Sequence, residues 1–267
     1  MNAIMIRDLC FKYDDKMIFD HFNLDIKKGS WATIAGPNGS GKSTLVKILL
    51  GLLKSEGTII INELTLTHVT IEHIRESVGV VFDNPDNQFV SETVADEIAF
   101  KLENLGVEKA KIRQDIMDIA NLLDIKHLLN KEPHKLNNGE KQLVILASAL
   151  INKPKVLILD EALSRIDIIS REIILKVLAD YQSAGMTIIN ITHNLEDTIY
   201  SDDVVVLNDG QIVLNGSKEE VLVNEKIFSD LGLELPFMVQ LSLKLKFYNL
   251  VDKLIFNMEE MVDLLWK

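Results

Sequence analysis

The sequence is poor in the features that mark exported, nucleic-acid-binding or membrane-spanning chains. It holds one cysteine, Cys10, so no intrachain disulfide can form and the composition suits a reducing compartment. Positive charge is in deficit: 28 Lys and Arg against 40 Asp and Glu leave a net charge of −12. A face able to grip a nucleic-acid backbone is therefore not expected. Nowhere do 18 apolar residues follow one another, so no bilayer-spanning helix is expected. The opening residues Met1 to Asp8 lack the charged region and apolar core of a signal peptide. Repeats and low-complexity linkers are missing as well. What remains, 267 residues with 47% hydrophobic and 25% charged content, is ordinary for a globular chain with a sizeable core. One large domain, or one domain with a small appendage, is expected in the cytoplasm.

The most informative stretch runs Gly36, Pro37, Asn38, Gly39, Ser40, Gly41, Lys42, Ser43, Thr44. It fits the phosphate-binding loop pattern of Gly, four residues, then Gly-Lys-Ser/Thr. Its flanks agree: Ser30 to Ala35 reads as a short buried strand and Thr44 to Leu50 as an apolar helix. Glycines let successive N–H groups turn inward to form a concave anion site, and the helix beginning at Lys42 adds its positive end. Lys42 is expected to reach the β- and γ-phosphates of a bound nucleoside triphosphate, and the Ser43 hydroxyl to ligate Mg²⁺.

Around this loop the pattern is that of an α/β chain. Residues 3–9 and 18–26 alternate like half-buried strands, with Asp14-Asp15 as a turn signal between them. Residues 57–61 and 78–82 are strand-like; residues 92–150 turn helical, with Thr93 and Asp96 resembling a capping box. Residues 155–159 and 187–191 are the short apolar runs of a sheet covered on both faces, and helix-like sequence at 169–182 joins them. A hairpin follows over 204–214 with Asp209-Gly210 at its tip. From about Ser217 helix is expected to Lys267, the stripe Val251, Leu254, Ile255, Met258, Met261, Val262, Leu265 marking an amphipathic helix over Leu250 to Trp266.

The run Val156 to Leu159 ends in Asp160 and Glu161. A phosphate-loop enzyme needs a carboxylate near Mg²⁺, the role expected of Asp160. Glu161, one residue on, faces differently and suits a general base for the attacking water. His193 closes the strand at 187–191, at the edge where α/β sheets bind ligands.

This order of phosphate loop, helical segment, Leu136-Asn137-Asn138-Gly139-Glu140, Val156 to Glu161, Ser164-Arg165-Ile166-Asp167 and His193 resembles an ATP-binding-cassette ATPase over about residues 3–215. Asn84 to Val90 and the Pro236-bearing tail are similar to the first of the two A subunits of energy-coupling factor transporters, the group that includes cobalt-transport ATPases. The resemblance implies a phosphate-loop core with a mixed sheet, an antiparallel β subdomain, a helical insertion at about 84–150 and a small C-terminal helical extension, divided as 1–225 and 226–267. It implies ATP and Mg²⁺ as ligands, Tyr13 (or Phe11) stacked on adenine, Asp160 on Mg²⁺, Glu161 as base, His193 on the γ-phosphate and Asp167 at a dimer interface. Two cassettes would sandwich two ATPs, each loop completed by the other chain's signature segment.

Two departures matter. The family's glutamine after the strand at 78–82 is Asp83 here; either its carboxylate ligates Mg²⁺, or it turns away and Asn84 or Gln88 takes over. The signature Leu-Ser-Gly-Gly-Gln is Leu136 to Glu140, and the arginine usual beyond it is Leu143. Asn138 adds a side chain where glycine leaves room, and Glu140 is expected to set a carboxylate near the opposing triphosphate. An asymmetric pair of sites follows: this chain's own loop competent, the reciprocal one slow. The expected partners are a second ATPase chain, a transmembrane subunit and a substrate-binding membrane subunit at the cytoplasmic face, with no nucleic acid. The tail either packs on its own domain or contacts the second ATPase. Other readings are a soluble cassette ATPase uncoupled from transport, a scarcely hydrolysing ATP-binding regulator, and a phosphate-loop kinase, for which no acceptor pocket is indicated.

Overall fold

The structure is a computed structural model that describes residues 1–164 and 166–265; Arg165 of the Ser164–Asp167 motif, and Trp266 and Lys267 of the tail, lie outside the described residues. The chain begins with two long strands, β1 (Asn2–Tyr13) and β2 (Lys16–Lys27), followed by β3 (Trp31–Ala35) and helix α1 (Lys42–Leu49). Next come β4 (Glu56–Ile61), β5 (Leu64–Thr65), α2 (Ile71–Ser77) and β6 (Val78–Val81). The helical segment holds α3 (Val94–Asn104), α4 (Lys109–Leu122) and α5 (Asn138–Leu150). Then β7 (Val156–Asp160), α6 (Ile168–Ser183), β8 (Thr187–Thr192), β9 (Asp203–Asn208) and β10 (Gln211–Ser217) complete the sheets. The tail carries α7 (Lys218–Val221), α8 (Glu225–Asp230), α9 (Phe237–Phe247) and α10 (Met258–Leu265).

Two sheets result. One is antiparallel, in the order β2-β1-β4-β5; the other runs β10-β9-β3-β8-β7-β6. In the second sheet β6, β7, β8, β3 and β9 are parallel and β10 returns antiparallel, so the sheet is mixed as expected. Every residue of β3, β7 and β8 is buried, because a parallel sheet is covered on both faces. Alternate side chains feed separate cores. Leu157, Leu159, Trp31 and Ile188 pack with the helical segment and α6. Val156, Ile158, Ile34 and Ile189 pack with α1 and the antiparallel sheet. Each such Leu, Ile or Val contributes about 1.5–3 kcal/mol of burial, which fixes the phase of β7 and so the direction in which its last residues point.

Local signals explain the connections. Asp209 (φ 45°) and Gly210 (φ 72°) turn the β9–β10 hairpin, both in the left-handed region that a two-residue turn of this hand requires. A Cβ on Gly210 would collide with the Ile18 carbonyl oxygen, so the hairpin tip docks closely on β2. Thr93 does cap α3, accepting the Asp96 N–H, but its hydroxyl donates to the Asp96 carboxylate at 2.6 Å. That is a side-chain pair rather than the reciprocal box the sequence suggested.

The tail departs from the expected continuous helix. Helix α9 ends at Phe247, and Asn249 (φ 56°) turns the chain away. Residues 250–257 are irregular, and α10 begins only at Met258, after Asn257 has accepted the Glu260 N–H at 2.8 Å. The reason is a competing partner: buried Ser242 on α9 accepts the Ile255 N–H at 3.0 Å and lies 2.8 Å from the Met238 carbonyl as donor. Val251, Ile255 and Met261 are buried nonetheless, and Leu233, Leu235, Val239 and Leu254 pack against Val204, Val206 and Phe228. Replacing Ser242 with Ala leaves the Ile255 N–H buried without a partner, and unfolding free energy should fall by about 1–3 kcal/mol in equilibrium urea denaturation. An unchanged midpoint would show that this hydroxyl does not hold the tail.

Candidate functional site

The loop at residues 36–44 hangs from the C-terminal end of β3 and enters α1 at Lys42. Gly41 is the residue before the helix, at φ 107°, a conformation few residues other than glycine adopt. A Cβ on Gly36 would collide with the Leu207 carbonyl oxygen; the loop therefore lies tight against β9. The Gly210 N–H donates to the Ser40 carbonyl at 3.0 Å. Lys42 is buried, its ammonium donating to the carbonyls of Gly36 at 2.7 Å and Pro37 at 3.0 Å. Burial lowers its pKa, against the pull of Glu161 and Asp160, which raise it.

The sheet register brings the other groups to the same edge. Ala35 lies opposite Thr192 and Asp160 opposite Ile191. The Ser43 hydroxyl donates to Asp160 Oδ1 at 3.2 Å. Burial first, then the neighbouring Glu161 and Asp83 carboxylates, pushes the Asp160 pKa up to about 6, although the Ser43 bond and Lys42 oppose the shift. Glu161 is held in the left-handed region (φ 55°) with its N–H on the Ile191 carbonyl at 2.9 Å. Its Oε1 meets His193 Nδ1 at 2.8 Å, while its Oε2 is buried without a hydrogen-bond partner. A carboxylate with one oxygen anchored by an imidazole and the other bare is set up to take a proton from water. In this structure His193 is thus directed at Glu161 by one nitrogen.

Two residues past Val81, which pairs with Leu159, Asp83 follows β6 toward this edge and acts on Asp160. Of the alternatives to it, Gln88 is committed elsewhere: it accepts the Phe82 N–H at 2.8 Å and donates to the Val80 carbonyl at 3.3 Å. Asn84 accepts the Asp86 N–H at 3.2 Å. The segment is tied further to α5, by Lys141 to Asp86 at 2.7 Å and by buried Gln142 to the Phe82 carbonyl at 2.9 Å. Nothing in the sequence singled out Gln142 or Lys141, since their roles depend on partners about 60 residues away. Tyr13 ends β1, exposed, its ring edge-on to Phe11 with centroids 4.8 Å apart.

Asn137 to Glu140 do not join the phosphate loop. Asn137, Gly139 and Glu140 line a groove of about 210 Å³ with Asp167 and Ser170. Asn137 caps α5, its Oδ1 accepting the Glu140 N–H at 2.9 Å, while Glu140 Oε2 accepts the Asn137 N–H at 2.9 Å. Glu140 Oε1 lies 3.6 Å from the Lys131 ammonium. The Glu140 carboxylate thus folds back on its own helix and on Lys131. Asp167 likewise caps α6, accepting the Ser170 N–H at 3.0 Å.

A glycine-lined anion loop, a serine hydroxyl on a strand-end aspartate, and a glutamate–histidine pair on the adjoining strand ends are the parts of a phosphate-loop nucleoside triphosphatase. Comparison with known proteins narrows the class. The ABC transporter family model matches residues 19–164, more than half the chain, and the chain belongs to that family; it is an ATPase of the ABC type. The energy-coupling factor transporter ATP-binding protein EcfA1 of Leuconostoc mesenteroides is 43% identical over 249 residues, 92% of each chain. EcfA1 of Halalkalibacterium halodurans is 36% identical over 99% of this chain and 97% of its own. The structure of cbiO1 from Clostridium perfringens, part of the ABC transporter complex cbiONQ, superposes with a TM-score of 0.76 at 33% identity, over 86% of this chain and 94% of that one. Within the ABC family the chain therefore falls among the energy-coupling factor ATP-binding proteins. No helix of the described residues is long and apolar enough to cross a membrane.

The raised Asp160 pKa carries a stability signature. The folded, metal-free chain holds this proton to about pH 6, whereas an unfolded chain releases it near 3.9. Stability should therefore fall as pH rises from about 4 through about 6. Asp160→Asn keeps an acceptor for Ser43 and removes the charge. Without divalent cations it should exceed wild type by about 3 kcal/mol above pH 7 and match it near pH 4, in denaturation curves taken across that range. A variant less stable than wild type at pH 7.5 would contradict the burial argument.

Proposed function

We propose that this chain binds ATP with Mg²⁺ on the loop at 36–44 and hydrolyses it in a site that a second ATPase chain completes, driving a membrane partner in micronutrient uptake. The observation that carries the reading is the convergence of Ser43 on Asp160 beside a Glu161 whose free oxygen is buried. The hydroxyl of Ser43 and the carboxylates of Asp160 and Asp83 are hard oxygen donors of the kind Mg²⁺ takes, and they fit the ion. Bound there, Mg²⁺ would neutralise charge on the β- and γ-phosphates. Lys42 exchanges its two carbonyl partners for phosphate oxygens, and the N–H groups of the glycine loop hold the rest of the anion. Tyr13 stacks on the adenine. Glu161 Oε2 takes the proton of the attacking water, and His193 keeps Oε1 in place while its other nitrogen reaches the γ-phosphate.

The segment Asn137 to Glu140 serves the partner's loop, with Asp167 beside it at the interface. With the Glu140 charge held by the Asn137 N–H and Lys131, the Asn138 side chain becomes the chief obstacle there, and the reciprocal site turns over slowly. In the heterodimer with a second ATPase, Glu161→Gln should lower turnover about 100-fold or more with ATP binding kept. The matching change in the partner should matter little, and Asn138→Gly should raise the partner site's turnover. If Glu161→Gln leaves most of the ATPase activity in place, the assignment of the base and the asymmetry both fail.

Residues 83–90, tied to α5, and the helical insertion of 84–150 form the surface we assign to a transmembrane subunit at the cytoplasmic face. A separate membrane subunit would bind the vitamin or metal ion. The extension 226–267 contributes to the dimer through Phe247, Tyr248 and Leu250, which are exposed although large and apolar. Phe247→Ser with Leu250→Ser leaves the buried tail contacts in place and should weaken heterodimer association about 10-fold or more if this patch holds a hot spot, measured by analytical ultracentrifugation. An unchanged dimer would return the tail to packing on its own chain.

A further inference from the structure

Outside the nucleotide site, one group of side chains brings a thiol, an imidazole and a carboxylate together. A ligand atom each from Cys10, Asp20 and His21 lie within 4.8 Å of one another. Consecutive residues of a regular strand point to opposite faces, so Asp20 and His21 of β2 should not share a ligand. They come together with Cys10 here because the strands are bulged. In β2 both residues are exposed between buried Phe19 and Phe22. In β1 the pairing slips between Ile6 and Leu9 and again between Leu9 and Phe11. Asp8 and His21 both stand at φ 50°.

The contacts around the three donors resemble those that prepare a metal ligand. The His21 backbone N–H donates to Cys10 Sγ at 3.3 Å, which fixes the sulfur beside the imidazole. His21 Nδ1 faces Asp8 Oδ1 at 3.5 Å, while Nε2 faces Asp20 Oδ1 at 4.0 Å. A carboxylate on one imidazole nitrogen orients the ring and leaves the other nitrogen for a metal. Nitrogen and oxygen ligands about 2.0–2.2 Å from a tetrahedral ion sit roughly 3.4 Å apart, so the 4.0 Å gap closes with small side-chain movement.

From this geometry we propose a divalent transition-metal site on the β1–β2 surface, with Cys10 Sγ, His21 Nε2 and an Asp20 oxygen as ligands, Asp8 as the outer partner of the imidazole and solvent in the remaining position. Thiolate with imidazole selects borderline ions such as Zn²⁺, Co²⁺ or Ni²⁺ over Mg²⁺, so this site and the Ser43–Asp160 site take different metals. Binding displaces the thiol proton and needs a neutral imidazole, and it weakens as pH falls.

Co²⁺ titration of the full chain tests the proposal, since a cobalt–thiolate bond has a near-ultraviolet charge-transfer band that carboxylate and imidazole ligation lack. One equivalent of Co²⁺ should raise this band, Zn²⁺ should displace it, and Mg²⁺ with ATP should leave it unchanged. Cys10→Ser should abolish the band. His21→Asn, which tolerates the positive φ, should weaken binding about 10-fold or more, as should Asp8→Asn through the outer contact. Retained ATP binding by the variants reports that they are folded. Absence of the band in the wild-type chain, or an affinity unchanged by His21→Asn, would overturn the site without touching the nucleotide reading.

Discussion

The parallel pairing of β7 between β6 and β8 is the constraint on which the rest of the molecule depends. Its residues are all buried, and alternate ones fill different cores. A slip of one residue would therefore exchange two well-packed sets of side chains, a change no strand covered on both faces tolerates. With that phase fixed, the register carries through the sheet: Val81 opposite Leu159, Asp160 opposite Ile191, Ala35 opposite Thr192. The phosphate loop, the acidic strand end, Asp83 and His193 are thereby delivered to one edge by hydrophobic packing, before any of them interacts with another.

What they form there is electrostatically incomplete. Asp160 is buried, next to Glu161 and within reach of Asp83, with Lys42 as the opposing cation. Lys42 itself is partly desolvated and bonded to two loop carbonyls. Desolvated carboxylates near one another raise their own pKa values unless positive charge arrives. A divalent cation with a polyphosphate would relieve this crowding of carboxylates, so the raised Asp160 pKa and an affinity for such a ligand would have one origin.

Much of this was legible in the sequence. Glycine spacing identified the loop, because few other structures need those glycines with Lys-Ser behind them; apolar runs of five residues ending in acids identified the central strands. The tail was misread because three-and-four spacing in 250–257 reports burial, which is real, and not helicity, which Ser242 prevents by claiming the Ile255 N–H. Gln88 was noticed for the wrong role and Gln142 not at all, since their amides answer backbone groups exposed by the end of β6. The meeting of Cys10 with His21 depends on bulges in two strands and leaves no trace in hydrophobic alternation. Glu140 was readable after all: Asn137 followed by glutamate at the third helical position is the signature of a capping box.

That capping box separates two helix N-termini of opposite kinds. Helix α1 opens on glycine, has no side-chain cap and no acid in its first turn; its N–H groups and dipole are left for an external anion. Helix α5 opens on Asn137 and carries Glu140 in its first turn, so two of its amide hydrogens already have partners. A charge that looks repulsive when the residue is placed at a dimer interface is, in place, an internal substitute for the anion that such a helix end attracts. Asn137 contributes its Oδ1 and its backbone N–H to the cap. The difference from a glycine-bearing segment then rests on the Asn138 side chain. On the reading proposed above, bulk at Asn138 rather than charge at Glu140 would set how closely a second chain's phosphates approach.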